Sequence, residues 1–175
     1  AVRQAMRIMG HQFVMGRTIE EALKRSRRKD NAAYRYSFDM LGEAALTRAD
    51  ADRYFEAYRQ AIEAIGSSGP NGSFVGTSVF ATPSISIKLS ALDSQFDAID
   101  PEGTTRRVGV RLRELFRAAQ RLGAFINVDM ESYDKKALTL HIFQTILSEP
   151  EFRDWPSVGL VIQCYLRDAE RDLVT

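Results

Sequence analysis

Four strand-like runs alternate with helical periodicity along this chain, and within each run the side chains sort by a period of two into an apolar set and a polar set. In Ile85-Ser-Ile-Lys-Leu89 the odd positions are apolar, while Ser86, Lys88 and Ser90 share the other face. In Phe125–Glu131, Ile126, Val128 and Met130 oppose Asn127, Asp129 and Glu131. The first run, Tyr34–Leu41, sets Tyr36, Phe38 and Met40 against Arg35, Ser37 and Asp39. The fourth, Val158–Tyr165, sets Leu160, Ile162 and Cys164 against Val161, Gln163 and Tyr165. A doubly wound sheet is covered by helices on both faces, so its strands read as continuous aliphatic runs. One helix-packed face and one polar face instead predict a (βα)8 TIM-type barrel, whose interior opens on a site at the carboxyl ends of the strands.

The polar markers near those ends, Asp39, Lys88, Asp129 and Gln163, lie 49, 41 and 34 residues apart. Each interval holds one crossover helix of the length that parallel neighbours require. Thr47 with Asp50 reads as a capping box opening a helix that buries Tyr54, Tyr58, Ile62 and Ile65. Thr104–Leu122 is a second helix, with Gly123 just past its end, and Asp134–Ser148 a third, stopped by Pro150. Gly66–Pro83, rich in Gly, Ser and Pro, reads as a long surface loop, and Ala91–Gly103 as a polar connection.

Ahead of the first strand, Val2, Met6, Met9 and Phe13 form the apolar stripe of one helix. Thr18 and Glu21 form a capping box for another that runs to about Lys29, where five cations suit the negative end of its dipole. A complete barrel takes about 250 residues and eight strands. Four strands in 175 residues are therefore read as an α/β fold made of a helical arm over 1–30 and the first half of a barrel over 31–175, cut short at its C-terminal side.

Charged residues are 27% of the chain and the net charge is +1, so nothing here favours a nucleic acid partner. No apolar run approaches the ~20 residues that span a bilayer, and no secretory pattern opens the chain, which points to a cytoplasmic setting. The single cysteine, Cys164, excludes an internal disulfide and reads as a small buried hydrophobe. His11 and His141 fall on helices away from the strand ends.

Burying an unpaired ammonium is costly, so Lys88 inside an apolar run needs a partner or a purpose. On a barrel interior it can hold a substrate carboxylate or phosphate as a point charge. With a lowered pKa it would be the Schiff-base nucleophile of an aldolase-type barrel, and paired with Asp39 or Asp129 it would be structural. Asp39 and Glu43 stand four apart at a strand end, with Gly42 allowing a sharp turn that swings Glu43 over the site. Asp129, Glu131 and Asp134 lack the spacing of a loop-type calcium site, and no metal is assigned. No dinucleotide, phosphate-loop or serine-nucleophile motif is present. A non-catalytic interaction module docking through the arm Val2–Lys29 is the remaining alternative.

At the strand ends the wording becomes specific. Arg7–Leu23, Tyr36-Ser-Phe-Asp-Met-Leu-Gly-Glu-Ala-Ala45, Ile85-Ser-Ile-Lys-Leu-Ser-Ala-Leu92, Asn127-Val-Asp-Met-Glu131 and Val161-Ile-Gln-Cys-Tyr165 resemble, in the right order, the proline dehydrogenase domain of the bifunctional proline utilization A flavoproteins. The resemblance implies a distorted barrel holding FAD, which oxidises L-proline to Δ1-pyrroline-5-carboxylate and passes electrons to a quinone, the full enzyme lying peripheral to the membrane. It implies that Lys88 pairs with the proline carboxylate, that Asp39 lines the pocket, and that Glu43 closes over it. Asp129, Val161 and Gln163 match positions at or beside the flavin. The family's arginine pair and later strands have no counterpart in this sequence, so the fragment is expected to be inactive alone, with open edges that favour self-association.

Overall fold

In a computed structural model of the chain, residues 6, 9, 10, 12–31, 33–40, 44–67 and 84–174 are described. Four strands, β1 (Ser37–Asp39), β2 (Ser84–Ile87), β3 (Phe125–Val128) and β4 (Val158–Leu160), form one sheet in the order β1-β2-β3-β4. Every neighbouring pair is parallel. Sequential order without reversal is the arrangement of consecutive βα units in a barrel, and it lacks the switch point of a doubly wound sheet.

The α-helices whose bounds fall within the described residues are α1 (Ile19–Ser26), α2 (Arg48–Gly66), α3 (Pro101–Leu122), α4 (Lys136–Leu147) and α5 (Ala169–Val174). The capping box at Thr47 forms as the sequence predicts, with Asp50 N donating to Thr47 Oγ1 at 3.1 Å and Thr47 N to Asp50 Oδ2 at 2.9 Å. At α1 the amino-terminal half of the motif holds, but the Glu21 carboxylate accepts from Arg17 N rather than from Thr18 N. This helix also ends at Ser26, short of Lys29, because the Asn31 side chain donates to Arg25 O and ties off its last turn.

Helix α3 starts three residues before the predicted Thr104. Asp100 Oδ1 accepts from Gly103 N at 2.9 Å, and Pro101 occupies the first turn, where its missing N–H costs nothing. It stops at Gly123, whose φ of 65° is the left-handed cap that glycine adopts without strain.

The apolar face of the sheet is the core. Ile85, Ile87, Ile126 and Val128 are fully buried against Ile62 and Ile65 of α2, Leu112 and Leu115 of α3, and Ile142 and Ile146 of α4. Phe116 of α3 packs edge-to-face on Phe152 and Trp155 beneath the loop that leads into β4. Lys136, at the start of α4, reaches Asp168 at 2.6 Å and Asp172 of α5 at 2.7 Å, so the segment after β4 is clasped back onto the helix before it.

Of the arm stripe, Val2 lies outside the described residues, and Met6, Met9 and Phe13 are exposed. One expectation fails. Cys164 is exposed rather than buried, because pairing in β4 stops at Leu160 and the chain turns through Gln163–Leu166, where the period of two no longer sets direction. Most of the predicted loop, 68–83, lies outside the described residues. Among the described residues no helix is long and apolar enough to cross a membrane. Truncating Ile126 to Ala at the centre of this core is expected to cost about 2–5 kcal/mol, measured as a lower denaturant midpoint with an unchanged m-value.

Candidate active site

Strand register decides which polar side chains can meet. Asp39, Ser86, Asn127 and Gly159 are Cα partners in a single row across the sheet. Lys88 stands two residues further along β2, in phase with Ser86, and keeps extended backbone angles as the cap of a short 3-10 turn, Leu89–Ala91. Asp129 stands beside it, because Asp129 N donates to Ile87 O at 2.8 Å. From there the Lys88 ammonium lies 2.8 Å from Asp39 Oδ1 and 3.2 Å from Asp129 Oδ2.

Lys88 is 23% exposed, Asp129 22% and Asp39 46%, which places the triad at the mouth of the polar face rather than deep in the core. Burial alone would lower the Lys88 pKa. Hydrogen bonds and charge from Asp39 and Asp129 outweigh burial and push it up to about 12. The ammonium is thus the favoured form at neutral pH, and this environment builds a fixed cation and opposes the Schiff-base nucleophile. One ammonium between two carboxylates leaves the cluster with an excess negative charge.

Other groups hold the triad in place. The Ser86 hydroxyl donates to Asp129 Oδ1, so both carboxylate oxygens of Asp129 are engaged. Glu131 accepts from Ser90 N at 3.1 Å and from the Ser90 hydroxyl, tying the ends of β2 and β3 together. Gln163 Nε2 donates to Glu131 O at 2.9 Å, and Val161 N to Val128 O at 2.9 Å, which brings the end of β4 into the same cluster. At Gly159 any Cβ would lie 3.0 Å from Asn127 Oδ1 and 3.1 Å from the Phe125 ring, so the polar face closes tightly below the site.

The structure therefore brings Asp39 and Asp129 into contact with Lys88 and ties the end of β4 beside them, through the Gln163 side-chain amide on Glu131 O and Val161 N on Val128 O. Glu43 lies outside the described residues. His141 is exposed on α4. Among the described residues no group of three or more His, Cys, Asp or Glu side chains is placed to hold a metal ion. Phase alone puts Ser86, Ser90 and Glu131 on the polar side without pairing them, and the helical stripe assigns Tyr58 only to the core. The period of two placed the serines, and nothing in the spacing predicted the reach of Tyr58 from α2 to Lys88 N at 3.1 Å.

Two groups of the site bind their protons more tightly in the folded chain than outside it. Burial pushes the Tyr58 hydroxyl from 10.0 up to about 12, and Lys88 rises from 10.5 to about 12. For both, the stabilising contribution is complete below the ordinary value and is lost as pH climbs through the raised one. Unfolding free energy is expected to fall between pH 10 and about 12, and Lys88→Met should flatten part of that fall in denaturant titrations across the window.

Comparison with known proteins bears on this site. The proline dehydrogenase family model matches residues 22–175. The bifunctional PutA proteins of Klebsiella aerogenes and Escherichia coli K12 are each 42% identical over 164 residues, covering 94% of this chain and 12% of theirs. Proline dehydrogenase 1 of Bacillus subtilis is 28% identical over 167 residues, covering 95% of this chain and 48% of its own length. Among solved structures, PutA from Bdellovibrio bacteriovorus inactivated by N-propargylglycine superposes with a TM-score of 0.87 at 30% identity, over 99% of this chain and 19% of that one. Bradyrhizobium japonicum PutA superposes with a TM-score of 0.79 at 41% identity, over 98% of this chain and 17% of that one. The chain thus spans about an eighth of the length of the curated PutA relatives. Sequential parallel strands, a polar interior face and a family match over most of the chain agree, and the chain belongs to the proline dehydrogenase family.

Proposed function

We propose that this chain is the first half of a proline dehydrogenase barrel which, completed by further strands, oxidises L-proline to Δ1-pyrroline-5-carboxylate with FAD and passes electrons to a quinone at the membrane surface. The observation that carries this reading is the Lys88 ammonium, held protonated at the carboxyl end of β2 in a chain of that family. Lys88 anchors the proline carboxylate as a point charge and need not lose its proton. Asp39 lines the pocket and Glu43 closes over it. The excess negative charge of the triad favours the substrate's cationic ring nitrogen, so the two ends of a zwitterion are distinguished by charge alone.

Residues at this end of the sheet fit a flavin. Neutral and acidic hydrogen-bonding groups, the Gln163 amide and the Asp129 carboxylate, converge there with the main chain at Val161. These three would lie at or beside FAD. When bound, FAD supplies the oxidant, accepting hydride from the carbon beside the proline nitrogen. The protein's share is to fix the acid group of the substrate so that this carbon is presented in one orientation.

Strands β1 and β4 are each paired on one side among the described residues, and further strands of the barrel would cover both edges. The test is a flavin spectrum of this chain beside a chain completed with the remaining strands of Escherichia coli PutA. Bound flavin bleached by L-proline in the completed barrel, and not in the present chain, is the expected result. Flavin that binds without bleaching would overturn the substrate. In the completed holoenzyme, Lys88→Met should raise KM for proline by about 10- to 100-fold, the loss of a charge-assisted hydrogen bond, with a smaller change in kcat.

A further inference from the structure

Within this reading of Lys88 as the substrate anchor, we propose that Tyr58 is a positioning residue for it: the Tyr58 hydroxyl stands in for the strand that β2 lacks at Lys88 and holds the last extended residue of β2 in phase. Backbone groups of successive strand residues point to opposite sides. Ile87 O faces β3, where it accepts from Asp129 N at 2.8 Å, so Lys88 N–H faces the β1 side.

On that side the ladder has ended. The register between β1 and β2 stops at Asp39↔Ser86, and the next main-chain bond between the two segments, among the described residues, is Ala45 N to Ser90 O at 3.0 Å. Between those two points the Lys88 N–H needs an acceptor that is not β1, and Tyr58 OH supplies it at 3.1 Å. The ring is 2% exposed and sits in the core beside Ala61 and Ile62, so its position is set by packing of α2 and not by the ligand. Burial keeps the hydroxyl protonated and neutral at physiological pH, so the contact does not switch there.

Without this acceptor the residue would be free to join the 3-10 turn that begins at Leu89, and the period of two that aims its side chain at Asp39 and Asp129 would end one residue early. Tyr58 thus lets β1 part from β2 beyond Asp39 without giving up the direction of the anchor.

The test uses the full-length holoenzyme. Tyr58→Phe keeps the ring and removes the acceptor; the expected result is a rise in KM for L-proline of about 5- to 10-fold with kcat changed less than about two-fold and an unaltered flavin spectrum. A lower melting temperature with KM unchanged would overturn the proposal, leaving Tyr58 as packing only. Lys88→Met run in parallel separates the two layers: if it leaves KM unchanged, the anchor reading itself has failed. Should Tyr58→Phe not fold, residue-resolved hydrogen exchange on the unmodified enzyme decides. Protection of the Lys88 amide equal to that of Ile85 and Ile87 supports the proposal, and fast exchange refutes it.

Discussion

The structure depends on the two-sidedness of β2. It is bonded along both edges, to β1 and to β3, and its residues alternate between a face with no water and a face with charge. Ile85 and Ile87 carry the helices α2 and α3, while Ser86, and Lys88 just past the strand, reach Asp129 and the Asp39–Asp129 pair; Ser90 reaches Glu131 from the short turn that follows. A slip of one residue would send an ammonium into a fully apolar layer, an error far too costly to populate. The same alternation that makes the core therefore also fixes which residues form the site.

Electrostatics then settle what kind of lysine this is. A lysine isolated in apolar surroundings loses its proton readily and becomes a nucleophile. Here two carboxylates from the flanking strands reverse the effect of burial, and the result is a cation at neutral pH on an extended strand end. That suits recognition of an acid group by position and charge, with the difficult chemistry left to a cofactor.

The alternating pattern in the sequence was enough to place the four strands, their parallel order and the meeting of Asp39, Lys88 and Asp129, because period and phase are local properties that the sheet only repeats. Boundaries were less accessible. β1 and β4 are three residues each, shorter than their apolar runs, since a strand ends where its neighbour departs and not where its own propensity fails. Cys164 was misplaced for that reason. The partners of the site were hidden because Ser90 to Glu131 and Tyr58 to Lys88 are contacts between distant segments, set by register and helix packing. The arm shows a different limit: an apolar stripe reveals a face, and Met6, Met9 and Phe13 show that a face need not be covered within its own domain.

The lysine clasp at the start of α4 has a further consequence. The stretch from Val161 to Asp168 is pinned at one end by Val161 N on Val128 O and at the other by Lys136 on Asp168 and Asp172. Gln163 lies between these two anchors, so its conformational freedom has already been surrendered during folding. A group that meets the Gln163 side chain would therefore find it already ordered, at little further entropic cost.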